Sequence, residues 1–185
     1  LRFYILLHIK MNLKDYIRSI KDYPKKGILF RDITTLIKNE KAFTKCIEEI
    51  TKRSKNFEFN KIAAIESRGF VFASAVAYVL KKPFILLRKQ NKLPAETHSV
   101  EFELEYGKAI MEIHKDSIEK NDSVLLIDDL IATGGTAGAA AKLIEISQGK
   151  IAGFIFVINL FDLSGRDNLI KKGYKVESLI EFPGH

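Results

Sequence analysis

The chain has one cysteine in 185 residues, so no disulfide can form within it, and a reducing compartment is expected. Cys46 falls on a helical stripe with Phe43, Ile47 and Ile50, the place of a small packed residue rather than a reactive thiol. The four histidines, His8, His98, His114 and His185, are scattered and make no zinc-spaced cluster with it. No apolar run is long enough to cross a membrane. The stretch Phe3 to Ile9 is short, is interrupted at His8, and is followed by no small-residue cleavage site. The glycine-rich segment "GGTAG" (134–138) ends without the Lys-Ser/Thr of a nucleoside-triphosphate P-loop. No G-x-G-x-x-G is present, which excludes the dinucleotide fingerprint. There is no internal repeat, low-complexity segment or linker.

What is present fits one globular domain of residues 11–185 with a real core: 46% apolar residues and a mean hydropathy of -0.02. The formal charge is +7, yet the basic residues are spread along the chain without a long run or aromatic interleaving. That distribution weighs against nucleic acid and fits equally a small polyanionic substrate or a charge that serves solubility alone. Residues 1–10, "LRFYILLHIK", precede Met11 and read as a dispensable leader of translated upstream sequence.

Helical and strand patterns alternate. Leu13, Tyr16, Ile17 and Ile20 predict a helix over 12–20, and a second helix is predicted over 40–54. Strands are predicted at "KIAAI" (61–65), "PFILL" (83–87), "VLLI" (124–127), "IAGFIFVINL" (151–160) and "VESLI" (176–180), with helices after residue 67 and over 136–147. These apolar runs are continuous, as in strands covered on both faces. The expected architecture is therefore α/β, a mostly parallel sheet flanked by helices. Lys89 to Tyr106 is polar, with "VEFELEY" alternating like a hairpin arm, and is expected to form a flexible lid.

The chemistry concentrates in "VLLIDDLIATGGT" (124–136). A buried parallel strand delivers its last residues to the ligand end of the sheet. Asp128 and Asp129 can accept hydrogen bonds from the neighbouring hydroxyls of a ribose. Ala132, Thr133, Gly134, Gly135 and Thr136 lead into a helix whose free N–H groups attract an anion, and the glycines let the backbone wrap closely around it. A phosphorylated ribose satisfies both halves.

Strand-"DDLIATGGT"-helix resembles the signature of the type I phosphoribosyltransferases, which use 5-phosphoribosyl 1-diphosphate (PRPP). "GILFRDIT", "ESRGFVFA", "LLRKQNKLP", "LEYGKAIMEIHKD" and the C-terminal "FPGH" narrow the resemblance to the adenine phosphoribosyltransferases, from about Met11 to His185. It implies the type I phosphoribosyltransferase fold with a small N-terminal hood, and a pentosyltransferase making AMP and diphosphate from adenine and PRPP. Backbone groups of Leu29 and Arg31 would read the adenine edge, with Phe30 and Leu160 covering its two faces. Ser67, Arg68, Arg88, Lys89 and Lys92 would meet the diphosphate, with a cis Glu66–Ser67 peptide. Glu105 would take the N7 proton, and Tyr106 would order the lid. Mg²⁺ would travel on PRPP rather than on protein ligands. The resemblance also implies a cytoplasmic homodimer, with no membrane or nucleic-acid partner. Thr35 stands where the family usually has proline, which would loosen the hood, and Tyr23 stands where phenylalanine is common. Two alternatives stay open: a transferase for another base, and a PRPP-sensing regulator that binds nucleic acid.

Overall fold

The computed structural model describes residues 11–104 and 107–184. The leader, Glu105 and Tyr106 lie outside the described residues, as does His185. The chain divides into two compact units, residues 1–46 and 47–185.

In the first unit the expected helix over 12–20 does not form. A single 3-10 turn, Leu13–Tyr16, is capped by Asn12, whose side chain accepts from the Lys14 N–H at 3.1 Å. The chain then extends as β1 (Arg18–Lys21), antiparallel to β2 (Leu29–Asp32). The apolar spacing was compatible with a helix, but Ser19 and the β-branched Ile17 and Ile20 favour extended backbone once a partner strand is available. A short helix α1 (Thr34–Ile37) follows. Thr35 tightens this unit rather than loosening it. Its hydroxyl donates to the Tyr16 carbonyl at 2.6 Å and accepts from the Arg18 N–H at 3.3 Å, bonds a proline could not make.

Asp32 is 5% exposed and accepts from the Thr34 hydroxyl (2.6 Å), the Thr34 N–H (2.9 Å) and Arg18 Nε (3.0 Å). The Thr34 hydroxyl, against the opposing cost of burial and with help from Arg18, holds its carboxyl down at about 2. A carboxyl depressed in the folded state stabilises the fold above its ordinary ionisation range, and that contribution is lost as pH falls through it. Asp32→Asn should therefore lower the melting temperature near neutral pH. The gap to the parent should narrow on acidification from 3.8 toward about 2. A gap independent of pH in thermal melts would assign the loss to packing alone.

Helix α2 (Glu40–Ser54) carries the expected stripe: Cys46 and Ile50 are fully buried, and Asn39 Oδ1 accepts from the Ala42 N–H at 3.0 Å to start the helix.

The second unit is a seven-stranded sheet, with β3 (Lys61–Ile65), β4 (Phe84–Lys89), β5 (Thr97–Leu104), β6 (Gly107–His114), β7 (Ser123–Ile131), β8 (Lys150–Leu160) and β9 (Val176–Phe182). Its order is β5-β6-β4-β3-β7-β8-β9, parallel from β4 to β9 and closed at one edge by the antiparallel β5–β6 hairpin. Helix α3 (Arg68–Leu80) packs on β3, β4 and β7, and α4 (Gly135–Ile146) on β5, β6 and β8. A short α5 (Gly165–Lys171) precedes β9. Val124 and Leu126 join the core cluster with Ala140, Leu143 and Ile144 of α4, while the alternate residues Leu125 and Ile127 are also fully buried. Burial on both faces is the reason the strand sequences show no polar alternation.

Several boundaries shift by one or two residues, and two differences are larger. Strand β7 runs on to Ile131 instead of ending at Ile127, because the long β8 continues to pair with it through Leu130↔Ile158 and Ile131↔Asn159. The expected hairpin arm is present as strand β5, and it starts at Thr97, so less of the stretch from Lys89 is loop than expected. Val100 is buried and Phe102 packs against the core cluster, while Glu101 and Glu103 face outward, so the alternation fixes it to the sheet.

Candidate active site

A cavity of about 410 Å³ opens at the carboxyl ends of β3, β4 and β7 in the second unit. It is lined by Glu66, Ser67 and Arg68 after β3, by Lys89 at the end of β4, and by the whole segment from Asp128 to Ala137. Three segments far apart in sequence thus converge because their strands are parallel neighbours.

The two aspartates sit inside β7 rather than after it. Asp128 Oδ1 accepts from the Asp129 N–H at 2.9 Å, and Asp129 Oδ2 pairs with Arg68 Nε at 2.8 Å. Burial pushes the Asp128 carboxyl well above its ordinary range, and the charge on Asp129 adds to the shift. Burial also raises Asp129, with Arg68 opposing it. The pair holds its charge at a cost that a cation or a pair of hydroxyl donors would relieve. Gly69 makes room for this arrangement, since a Cβ there would lie 2.6 Å from Asp128 Oδ1.

Past the strand, Gly134 has φ +86, a conformation glycine adopts freely, and turns the chain into α4. The first backbone N–H to close the helix is that of Gly138, which donates to the Gly134 carbonyl at 2.9 Å. The N–H groups before it point out of the helix start, the arrangement that receives a phosphate. Thr133 and Thr136 line the same cavity.

All the residues expected around the ribose phosphate are therefore together, with Ser67, Arg68 and Lys89. The Glu66–Ser67 peptide is cis, as the resemblance implied. Arg88 and Lys92 do not line the cavity. Arg88 Nε donates instead to Glu66 Oε2 at 2.8 Å and its Nη1 to the Lys92 carbonyl at 3.1 Å. Glu66, a lining residue, went unassigned at the sequence level, since nothing local links it to a partner 22 positions away. Leu160 is buried at the end of β8, paired with Phe182, and does not line this cavity. In the first unit, Leu29, Phe30 and Arg31 lie on β2, with Phe30 edge-on to Tyr23 at 5.1 Å between ring centroids. Among the described residues, no helix is long and apolar enough to cross a membrane.

Residues 32–184 match the phosphoribosyl transferase domain family. The chain is 77% identical to the adenine phosphoribosyltransferase of Pelagibacter ubique, over 95% of its own length and 100% of the relative's. The chain belongs to the adenine phosphoribosyltransferase family. Its structure resembles the crystal structure of adenine phosphoribosyltransferase from Thermoanaerobacter pseudethanolicus, with a TM-score of 0.88 and 48% identity, covering 92% of this chain and 98% of that one. The APRTase from Giardia lamblia complexed with 9-deazaadenine gives a TM-score of 0.87 at 34% identity, covering 93% of this chain and 98% of that one. The family's phosphoribosyl signature coincides with the cavity-lining segment from Asp128 to Thr136.

Proposed function

We propose that the protein joins adenine to PRPP, releasing AMP and diphosphate. The observation that carries this reading is one cavity holding the buried Asp129 and half-buried Asp128 carboxylates, a glycine-wrapped helix start, Arg68 and Lys89. The 5-phosphate sits on the N–H groups between Ala132 and Thr136, and the ribose hydroxyls donate to Asp128 and Asp129. Arg68 and Lys89, with Ser67, receive the diphosphate. Arg88 and Lys92 act there once the contact of Arg88 with Glu66 is exchanged for the leaving group. Leu29, Phe30, Arg31 and Leu160 supply the adenine contacts.

In the reaction, adenine N9 forms a bond to the anomeric carbon as the bond to the diphosphate oxygen breaks. The electron pair leaves with diphosphate, and the N7 proton passes to Glu105, beside Tyr106. Positive charge on the ribose ring peaks in between, and the paired aspartates favour it. The donors present are hard oxygens, which suit Mg²⁺ carried on PRPP oxygens and waters rather than caged by protein. The protein works as a homodimer in the cytoplasm. An exposed apolar pair on α3, Tyr78 and Val79, fits a surface covered by a second copy.

The test is AMP formation with adenine and PRPP together and with each omitted, against a panel of hypoxanthine, xanthine and orotate. AMP is expected only with both substrates, and adenine is expected to be preferred strongly because a mismatched base leaves buried polar groups unpaired. Equal or better turnover of another base would reject the adenine assignment. PRPP binding without transfer to any base would favour the sensing alternative.

A further inference from the structure

The segment joining β8 to α5 lies directly behind the phosphate loop. After Leu160 the chain makes one 3-10 turn, Phe161–Leu163, and reverses at Ser164 with φ 58. Gly165 then donates its N–H to the Ala132 carbonyl at 3.0 Å. A Cβ on Gly165 would lie 2.2 Å from that carbonyl oxygen, 2.7 Å from Gly134 N and 2.8 Å from the Thr133 carbonyl carbon. All three obstructing atoms are backbone of the loop that lines the cavity. Approached from the other side, a Cβ on Gly134 would meet Gly165 O at 3.0 Å and Gly165 Cα at 3.1 Å.

Gly165 differs from Gly134 in one informative way. It is absent from the residues of positive φ, so its backbone is one that any amino acid adopts. It needs to be glycine because of proximity alone: only a bare Cα lets the two backbones touch. The strap is held in turn from its far side. The Gly184 N–H donates to Asp162 Oδ1 at 2.6 Å, and a Cβ on Gly184 would lie 2.7 Å from Leu163 Cγ. The C-terminal Pro-Gly thereby clamps the turn that carries Gly165.

We propose that Gly165 is a positioning residue for the 5-phosphate: its bare backbone sets the height of residues 132–134 beneath the ligand, and the Asp162–Gly184 contact fixes the strap. The proposal rests on the phosphate-cradle reading above. Any side chain at 165 pushes the loop toward the cavity and misaligns its N–H groups, while the atoms it meets first belong to none of the residues proposed to hold adenine.

Three variants test it: Gly165→Ala, Asp162→Ala and, as a crowding control, Gly149→Ala. In the control the new methyl would meet Ile118 Cγ2 at 2.9 Å and Ile144 Cγ2 at 3.0 Å, among core side chains. Ribose 5-phosphate binding is measured by calorimetry, and KM for PRPP and for adenine by turnover. Gly165→Ala should weaken ribose 5-phosphate and raise KM for PRPP by about tenfold or more, with KM for adenine within about twofold. Asp162→Ala should shift the same constants in the same direction by about threefold, and Gly149→Ala should lower the melting temperature without moving them. Unchanged ribose 5-phosphate affinity in Gly165→Ala, or an equal loss in Gly149→Ala, would overturn the proposal. If Gly165→Ala does not fold, Asp162→Ala decides: parental affinity in that variant overturns it. A parent that binds ribose 5-phosphate but makes no AMP rejects the proposed reaction and leaves this proposal standing. A parent that binds none removes the cradle and the proposal with it.

Discussion

Glu105→Gln should cut turnover by about 10²–10⁴-fold, the usual contribution of a positioned base. An amide cannot take the N7 proton as N9 attacks, but it can still donate to a neutral N7, so AMP affinity should survive far better than catalysis. Glu101 and Glu103 provide the comparison. Both face outward on β5, and Glu101 Oε1 pairs with Lys108 Nζ at 2.6 Å on the surface. Exposed pairs of this kind contribute little. Glu101→Gln and Glu103→Gln should therefore behave nearly like the parent. Turnover and AMP affinity for the three variants at several pH values make the check. Equal small effects across them would reject Glu105 as the base and leave electrostatics around the diphosphate as the main source of rate.

Asp129→Asn should weaken transition-state binding by about 1–3 kcal/mol, read as a rise in KM for PRPP with little change in melting temperature. The substitution keeps the shape of the side chain and removes the charge that pairs with Arg68 at 2.8 Å. Two opposing effects act on stability. The ion pair is lost, but so is a buried charge whose carboxyl burial already pushes upward, and a buried pair of this kind contributes little net. On the ligand the effects would not cancel under the proposed function, because the ribose hydroxyls would lose a charged acceptor and the diphosphate would meet an Arg68 no longer oriented. A parental response to PRPP would remove Asp129 from the site.

The parallel strands were legible because β3, β7 and β8 are apolar on both faces and short enough to be strands. The cradle was legible because carboxylates, glycines and threonines fall within one strand-turn-helix unit. What escaped was decided by partners distant in sequence. Residues 18–21 are strand because β2 pairs with them, and residues 107–114 are strand because β5 and β4 flank them. Asp128 and Asp129 lie within β7 because β8 is long. The contact of Arg88 with Glu66 spans two strand ends, and Gly165 reads locally as nothing more than the start of a short helix. The hood and lid residues became assignable only through the family, since "ILFRD" and "LEYG" contain no local pattern that separates a base-reading edge or a proton acceptor from ordinary strand.

The Arg68–Asp129 pair means that each of these two groups already has a charged partner within the pocket. Under the proposed function, substrate arrival would be an exchange of partners: diphosphate would take over the guanidinium while the ribose hydroxyls would take over the carboxylate. Neither group passes through a stage in which it is dehydrated and alone, which would be the costly route. Part of the attraction for a highly charged ligand goes into separating the pair, so affinity for PRPP should depend less steeply on ionic strength than the substrate's charge alone would dictate. Arg68→Gln would leave Asp129 without its counter-charge and make the pocket more negative toward an anionic substrate. Its PRPP affinity should then fall most at low salt and recover partly as salt is raised, the reverse of the parent.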